Sequence, residues 1–541
     1  MNAQSDALPA LLAVVVVFLI YVYAHFRRRG SFLSQLQGPK SHSFWIGNEG
    51  EIFHQNEVGD CEFKWMRQFG SAWRHRGCLG VDHLMVADPK ALQYILHTSG
   101  YNFPKKIDLV KVTEMVTGKA LSCAHGKVHE RQRKILAPSF FASQLKVFLP
   151  IFQDVASKLV QKWKDELATS DPSGSPPFIN VTGWVSRATF DIMGQAGFDF
   201  HFGSLDGAET QLSKMYGNLF LDSTLYPSPF NLVFKSTWRY VPEFLLRFVR
   251  YLPTRECRRF REYLDYAREF SRDVAQKNMA KGDGNDMMSV FLRTNASEDP
   301  KYRLKGPEIV DQLSALLLAG QETTASSLTW FFWEIARHPE SQERIREEIS
   351  VVYRRNNGAE LSAADLDGMT YTQAALKESM RLHPIVWMLG RVASRDDAIP
   401  LAFPITTKSG QQVSSIPVKK GTIIDIAVHA YQRLPEVWGE DAGEWNPDRF
   451  LNFENVKQTS LGVYGNLLNF SGGPQGCIGW RFAVLEMLVI ISTLIKDFEF
   501  SIPLENEKKI ERIYRKPSVI MMPMAEGRIG AWMGLVIKPL N

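Results

Sequence analysis

The sequence predicts a mainly α-helical protein of the α+β class with small β-sheets, preceded by one N-terminal transmembrane helix. Stretches with helical periodicity dominate, and residues 308–336 are a long apolar example. Strand-like runs lie near residues 79–86 and 411–427. The first run leads into a helix start at which Asp88 is the expected N-cap and Pro89 the first helical residue.

The chain has 541 residues, of which 45% are hydrophobic, and it can therefore bury a large core. This length is typical of two or more domains, but no linker divides the sequence. The glycine- and charge-rich segments 279–286 and 295–301 are predicted loops, with a helix over residues 287–294 between them. We expect a membrane anchor at residues 1–30 and one folded body over residues 31–541.

The anchor is predicted from Ala7–Phe26, twenty residues without a charged side chain. As a helix this segment spans roughly 30 Å, the thickness of a bilayer core. Arg27–Arg29 follow it, and positive charge on this side places the body in the cytosol. A cleaved signal peptide is the alternative, but the charge lies on the wrong side of the apolar segment and no cleavage site is evident. An odd number of cysteines, five, does not indicate an oxidised secretory framework either.

Net charge is +5, and the basic residues are spread along the chain. This distribution argues against nucleic-acid binding. It is compatible with a basic face for an acidic protein partner or with an ordinary solvated face. The candidates for such a face are Lys127, Arg131, Lys134 and Arg481.

A glycine-rich segment near the C-terminus holds the most informative cysteine. The sequence FSGGPQGCIG begins at Phe470 and places Cys477 just before an apolar helix predicted over residues 482–495. Backbone N–H groups and the helix dipole at that position favour a thiolate, which binds iron. Gly473 and Gly479 let the backbone approach a flat macrocycle, and Phe470 covers the sulfur. The alternative is a buried structural cysteine beside a Gly-Pro turn.

The apolar helix over residues 308–336 is interrupted by the polar sequence AGQETT, residues 319–324. A glycine followed by a hydroxyl residue loosens the helical hydrogen-bond ladder and leaves room for a small ligand. Glu322 and Thr323 are then candidate proton donors. The alternative is a helix interior whose hydroxyls bond back to the preceding turn.

Two further motifs contain paired polar residues. KESMRLHP, which begins at Lys377, places Glu378 and Arg381 three residues apart on one helix face, and WNPDRF supplies Arg449 downstream. By itself such a pair is usually a surface contact.

The second motif is GKVHERQRKILAPSF, which begins at Gly126. It places His129 and Arg133 on one helix face, where both can donate to a carboxylate.

Taken in this order, the four motifs resemble those of the cytochrome P450 family, the haem-thiolate monooxygenases. The predicted anchor is typical of eukaryotic microsomal members, and the segments 38–40 and 131–140 are similar to those of fungal members. The resemblance implies haem b, iron protoporphyrin IX, with Cys477 as the axial thiolate and residues 31–541 as the catalytic domain.

The resemblance also assigns roles to the other motif residues. Thr323 and Glu322 would relay protons, and Glu378, Arg381 and Arg449 would form a buried structural network behind the haem. His129, in place of the family's usual tryptophan, and Arg133 would hold a haem propionate, as would Arg391. Gln475 stands where relatives commonly carry arginine; an amide can hydrogen-bond a propionate but cannot neutralise it.

The implied activity is insertion of one oxygen atom of dioxygen into a C–H bond of a hydrophobic small molecule, for which a terpenoid secondary metabolite is our hypothesis. The implied partners are an NADPH-dependent flavoprotein reductase, with cytochrome b5 as a second candidate, and the lipid of the endoplasmic reticulum membrane. The aromatic stretch 219–253 is a candidate second lipid contact or ordinary core packing. Expected pocket walls are residues 101–121, Leu316, Ala319, 386–389 and 522–529.

Two other functions remain open at this point. A haem-thiolate isomerase or dehydratase needs no reductase, and the Glu322-Thr323 pair argues against it. A membrane-anchored haem-binding sensor would need Cys477 but no NADPH-dependent turnover.

Overall fold

The structure is a computed structural model and describes residues 31–169, 178–216, 219, 225, 227–281, 284–451, 461–503, 512–528 and 530–540. The predicted membrane helix and the rest of residues 1–30 lie outside the described part. Among the described residues no single helix is long and apolar enough to cross a bilayer. One bent pair of helices, residues 126–140 and 142–169 at an angle of 54°, meets that test by length and composition.

Helices make up most of the described chain, as the sequence predicts. Local chemistry sets several helix ends: the Asp88 side chain accepts two backbone N–H bonds of 3.0 Å from the turn that Pro89 opens. The helix predicted over 287–294 is confirmed and extends to Ser297. The α-helices are α1 (Glu49–His54), α2 (Asp60–Phe69), α3 (Pro89–Gln93), α4 (Ile107–Thr117), α5 (Gly126–Leu136), α6 (Ala142–Thr169), α7 (Val181–Phe198), α8 (Gln211–Tyr216), α9 (Pro229–Thr237), α10 (Glu243–Leu246), α11 (Arg255–Lys281), α12 (Met287–Ser297), α13 (Gly306–Arg337), α14 (Pro339–Arg355), α15 (Ala363–Gly368), α16 (Thr370–Leu382), α17 (Val428–Tyr431), α18 (Pro435–Trp438) and α19 (Trp480–Asp497).

The strands form small sheets, and both predicted strand regions contain strands. Residues 79–86 contain one strand after a short turn, and residues 411–427 contain two. The strands are β1 (Ala72–Arg76), β2 (Asp82–Val86), β3 (Phe178–Asn180), β4 (Met388–Val392), β5 (Asp397–Thr406), β6 (Gln412–Val418), β7 (Ile423–Ala427), β8 (Phe498–Ser501), β9 (Ile513–Lys516), β10 (Met522–Ala525) and β11 (Gly534–Pro539).

The largest described sheet has four strands in the order β1-β2-β7-β4. The β2–β7 pair is parallel, and the two outer pairs are antiparallel. Its register places His75 opposite His83 and Gly390 opposite Asp425. The smaller sheets are β3-β11-β8, β5-β6 and β9-β10.

Helix α13 runs through the core and packs against α7, α16 and α19, while α19 also packs against α6. These helices are rich in fully buried aromatic and aliphatic side chains, including Phe190, Trp330 and Phe331. Burial of such side chains stabilises the fold by about 1.5–3 kcal/mol each. The packing holds the Cys477 loop, which precedes α19, and the polar segment of α13 in one helical core.

Candidate active site

The Cys477 loop is fixed by its backbone. Cys477 lies three residues before the first residue of α19, and its N–H donates a 2.8 Å hydrogen bond to the Phe470 carbonyl oxygen. Gly473 has a φ of +66°, and a Cβ atom there would lie 1.9 Å from the Leu96 carbonyl oxygen. Only glycine fits at this position. Gly479, the N-cap residue of α19, directs its N–H toward the sulfur.

Part of the Cys477 surface is accessible, yet protein atoms surround the sulfur closely enough that burial raises the pKa of its thiol. The Gly479 N–H and the Arg133 charge act in the opposite direction but are smaller effects. The Gly479 N–H therefore favours the thiolate, as predicted, but burial is the larger effect. A deprotonated sulfur at this position requires additional positive charge, such as a bound metal provides.

Helix α5 brings two predicted residues to the loop. Arg133 Nη1 donates a 2.6 Å hydrogen bond to the Gly476 carbonyl oxygen. One turn earlier, His129 is buried and its Nδ1 lies 2.8 Å from the Tyr101 hydroxyl. Burial, and then the nearby charges of Lys105 and Arg133, lower the pKa of His129 to about 4. His129 is therefore neutral at pH 7.

Three residues that the motifs did not assign to the haem site, Tyr101, Lys105 and His125, join this group. Lys105 pairs through its backbone with Arg391, and its ammonium donates 2.5 Å to the Ser122 carbonyl oxygen. Burial and then the Arg391 charge lower the pKa of Lys105 to about 8, and burial lowers that of Arg391 to about 10. Burial and then Lys105 lower the pKa of His125.

These residues form the basic cluster of the site: Lys105, His125, His129, Arg133 and Arg391. The positive charges of Lys105, Arg133 and Arg391 lower the pKa values of neighbouring members, because like charges repel at close range. Such a set is stabilised by an anionic group placed among its members.

The structure places the predicted Glu378, Arg381 and Arg449 in one buried network. Arg381 donates to both carboxylate oxygens of Glu378 at 2.7 and 2.8 Å, and neither side chain is exposed. Arg381 also donates to the carbonyl oxygens of Gln432 and Ala442. Arg449 Nε lies 3.5 Å from Glu378, and its closer carboxylate partner is a different residue, Asp441, at 2.8 Å.

The polar segment of α13 is helical throughout, and no break occurs at residues 319–324. Thr323 donates a 2.7 Å hydrogen bond back to the Ala319 carbonyl oxygen. Gly320 does not open a space, because a Cβ atom there would lie 2.4 Å from Sδ of Met193 on α7. Glycine at this position instead allows close packing of α7 on α13. Burial raises the pKa of Glu322 to about 7.

Comparison with known proteins agrees with this arrangement. The family model for cytochrome P450 matches residues 37–528. The chain belongs to the cytochrome P450 family. Its relatives include cytochrome P450 monooxygenase claP of Ampulloclitocybe clavipes, which is 29% identical and covers 97% of each chain. Cytochrome P450 monooxygenase 205 of Postia placenta is 30% identical, covering 94% of this chain and 93% of its own. Ganoderic acid synthetase CYP5150L8 of Ganoderma lucidum is also 30% identical, with 93% and 94% covered.

Cytochrome P450 proteins bind haem through a cysteine thiolate, take electrons from a redox partner and bind hydrophobic substrates. The residues of this site fit haem b. The basic cluster supplies the donors that two propionates require, and Arg133 joins that cluster to the residue before Cys477. Gln475 lies in a single 3₁₀ turn, Gly473–Gln475, of the same loop. In this cytochrome P450, Gln475 brings no positive charge to the position where relatives carry arginine. Lys105, which the motifs did not indicate, adds a positive charge in the basic cluster.

Another residue that the sequence analysis missed is Glu486 on α19. It is fully buried, and neither carboxylate oxygen has a partner that meets hydrogen-bond distance and angle limits. Burial raises its pKa well above the ordinary value, although an interaction with Thr324 of α13 acts in the opposite direction. A glutamate within an otherwise apolar helix is the sequence signal that indicates such a residue.

Proposed function

We propose that the chain is a membrane-anchored haem-thiolate monooxygenase with Cys477 as the axial ligand. It inserts one oxygen atom of dioxygen into a C–H bond of a hydrophobic small molecule. The observation that carries the proposal is the link from the basic cluster through Arg133 to the backbone of the Cys477 loop. Haem, when bound, supplies the redox chemistry that activates dioxygen.

The protein's own residues hold and orient the haem. Arg133, Lys105 and Arg391 neutralise the propionates, while His129, kept neutral by burial, donates one N–H. Gly473 and Gly479 set the path of the loop, and Phe470 packs beside it. Glu378, Arg381 and Arg449 stabilise the polypeptide behind the loop rather than take part in chemistry.

Glu322 and Thr323 are the proposed proton donors on the oxygen side. A carboxyl group whose pKa is raised to about 7 gains and loses a proton readily near neutral pH. The Thr323 hydroxyl donates its one hydrogen to the Ala319 carbonyl oxygen. To relay a proton it would exchange this hydrogen bond for one to the proton acceptor while its oxygen accepts a proton from the donor.

The proposed electron donor is an NADPH-dependent flavoprotein reductase, with cytochrome b5 as a second donor. Basic side chains near the Cys477 loop support this proposal. Lys127 is 94% exposed and pairs with Glu130 at 2.9 Å, and Lys134 is 70% exposed and pairs with Glu298 at 2.7 Å. Arg131 pairs with Glu308, and Arg481 lies over the Trp480 ring at 4.2 Å. An acidic partner would have to exchange its own carboxylates for those of Glu130, Glu308 and Glu298 in these pairs.

We further propose that residues 1–30 anchor the enzyme to the endoplasmic reticulum membrane in a single pass, with residues 31–541 as the cytosolic catalytic domain. The segment from α9 to residue 251 supports a second lipid contact. It exposes several aromatic side chains: Phe230 at 78%, Phe244 at 62%, Phe248 at 52% and Tyr251 at 65%. Exposed aromatic and basic side chains in one segment are typical of a membrane interface.

The proposed substrate is a terpenoid secondary metabolite. Support comes from fungal relatives, one of which is named ganoderic acid synthetase. It also comes from a cavity of about 830 Å³ whose lining includes Phe53, Leu232 and Trp387.

Reconstitution with a fungal NADPH-dependent reductase in liposomes under oxygen-18 gas tests the function. Terpenoid hydrocarbons and acids would be screened by mass spectrometry. We expect an NADPH-dependent product that carries one oxygen-18 atom, and no product from Cys477→Ser. A product formed without NADPH, or one that carries no oxygen-18, would contradict the proposal.

A further inference from the structure

The excess positive charge of the chain is concentrated in one segment. Residues 229–262 contain eight basic and three acidic residues, a net charge of +5 that equals the net charge of all 541 residues. Basic residues occur throughout the rest of the chain, but there acidic residues balance them in number. A local excess of this size creates a positive potential that attracts anionic partners.

Hydrogen bonds hold this segment together. It comprises α9, short helical turns over residues 238–251 and the start of α11. Glu256 of α11 accepts a 2.8 Å hydrogen bond from the Lys235 ammonium, which joins α9 to α11. Arg261 of α11 donates to the Leu252 carbonyl oxygen at 3.4 Å, which holds the turns on the same helix. The outer surface of the segment is therefore built on a fixed backbone.

Two of the three acidic residues in the segment are already paired. Glu256 is paired within the segment, as described, and Glu243 lies 3.0 Å from the Lys111 ammonium of α4. The third, Glu262, is exposed. By contrast, three exposed arginines form no ion pair with another described residue, namely Arg247, Arg255 and Arg258. Their charges are available to a partner outside the protein.

Exposed aromatic side chains alternate with these arginines along the chain. Phe244, Phe248 and Tyr251 each expose more than half of their surface. The Arg247 guanidinium carbon lies 4.7 Å from the centre of the Phe248 ring, so the charge and the apolar ring are presented together. A partner that covers this surface must offer negative charge and an apolar layer side by side. A bilayer of anionic phospholipid offers both, because guanidinium groups lie at the phosphate level while aromatic rings enter the acyl boundary.

The segment also lies close to the point at which the predicted anchor joins the folded body. Ser31 is the first described residue after the anchor, and it lines the 830 Å³ cavity together with Lys235 and Tyr240 of the segment. A bilayer that holds the anchor is therefore near this surface.

We propose that residues 244–258 form a docking surface for anionic phospholipids, with Arg247, Arg255 and Arg258 on the headgroups and the aromatic side chains in the apolar layer. The inference rests on the membrane association proposed above and adds the class of lipid. An acidic protein is a poorer match, because protein interfaces separate an apolar core from a charged rim, whereas here arginines and rings alternate over a few residues.

The test uses the full-length haem-loaded protein in two kinds of nanodisc, one of phosphatidylcholine alone and one in which a third of the lipid is phosphatidylserine. The readout is amide hydrogen exchange of peptides that cover residues 243–254. Each arginine near an anionic surface favours docking about fivefold, and three together favour it about 100-fold. We expect exchange at least about fivefold slower in the anionic discs, and high salt should remove the difference because it screens the charges.

Two matched triple variants separate these arginines from general charge. The combined variant Arg247→Gln, Arg255→Gln, Arg258→Gln should exchange equally fast in both kinds of disc. The control removes three exposed basic side chains outside the segment, as Lys146→Gln, Lys277→Gln and Arg354→Gln, and should keep the full difference. Each variant is compared with itself in the two lipids, so a change in its local stability cancels.

Equal exchange of the wild-type protein in both kinds of disc would overturn the inference. So would a difference that persists in the arginine variant or disappears in the control. Protection that appears only when the reductase is added would also overturn it, because the surface would then be a protein interface.

Failure of the functions proposed above is distinguishable from failure of this inference. A protein without thiolate-ligated haem whose exchange still depends on lipid charge would contradict the monooxygenase function alone. A protein that stays only in the anionic discs would contradict the anchor and support the docking surface, whereas one that stays in neither would overturn both.

Discussion

Arg133 Nη1 lies 2.6 Å from the carbonyl oxygen of Gly476, the residue immediately before Cys477. This bond joins helix α5, which carries two members of the basic cluster, to the loop that carries the proposed iron ligand. Because burial raises the pKa of Cys477 and the Arg133 charge lowers it, the same side chain also favours the deprotonated sulfur. Arg133 therefore connects the basic cluster, which is proposed to bind the propionates, with the loop that carries the proposed iron ligand.

Replacement of Arg133 should destabilise the folded protein and weaken haem binding. We expect Arg133→Gln to lower the free energy of unfolding by about 2 kcal/mol, the typical value of a hydrogen bond to a charged group. Haem occupancy should fall with it. Urea unfolding and a haem assay measure the two effects. Lys127→Gln on the same helix, at a side chain that is 94% exposed, is the control and should change neither. Equal behaviour of the two variants would show that the bond has no role in the site.

Replacement of Glu378 should lower the free energy of unfolding more than replacement of Arg133 does. Its carboxylate is completely buried against Arg381, so Glu378→Ala leaves an uncompensated buried charge. The expected cost is about 3–5 kcal/mol of unfolding free energy, with little folded protein recovered. Asp441→Asn removes the partner of Arg449 at a side chain that is 48% exposed, and it should be much milder. Thermal unfolding of both variants compares them, and a loss below about 1 kcal/mol in Glu378→Ala would refute the network's structural role.

Glu322 should give turnover a pH dependence. Its pKa is raised to about 7, so the protonated, proton-donating form decreases as pH rises through that value. Product formed per NADPH should therefore fall above about pH 7 in the wild type. Glu322→Gln should be at least about tenfold less productive and show no such fall. Glu308→Gln in the first turn of the same helix is the control. A variant Glu322→Gln with the wild-type pH profile would exclude the proposed proton relay.

Glu486 should make the folded protein less stable as pH rises, whereas a carboxylate in an ion pair makes it more stable. Its folded-state pKa is raised, so the folded protein holds a proton that the unfolded chain releases above about pH 4.3. Wild-type stability should therefore decline as pH rises from that value toward the folded-state pKa. Glu486→Gln imitates the protonated form, and its stability relative to wild type should increase with pH. Urea midpoints at about pH 5 and pH 8 measure this, with the exposed Glu262→Gln as control. A constant difference between the two pH values would contradict it.

The sequence predicts features that are determined by neighbouring residues. The N-cap at Asp88, the helix after Asp286 and the glycine at position 473 each depend on chemistry within a few residues, and all three are present. The glycine at position 320 was misinterpreted for the opposite reason. Its role depends on Met193, which lies more than a hundred residues earlier on another helix.

The basic cluster also depends on contacts between residues that are distant in the sequence. Its motif residues, His129 and Arg133, were predicted from their spacing on one helix face. Lys105 was missed, because nothing near it in the sequence indicates that it pairs with Arg391 across almost three hundred residues.

The most direct test of the account is the visible difference spectrum of the dithionite-reduced protein with and without carbon monoxide. A Soret band at the wavelength that gives the cytochrome P450 family its number is the predicted result, because thiolate ligation shifts the band to that position. Cys477→Ser should lose it, whereas Cys123→Ser, at a half-buried cysteine near Lys105, should keep it. A wild-type protein that contains full haem but gives only the shorter-wavelength band of non-thiolate haem would contradict Cys477 ligation and, with it, the monooxygenase function.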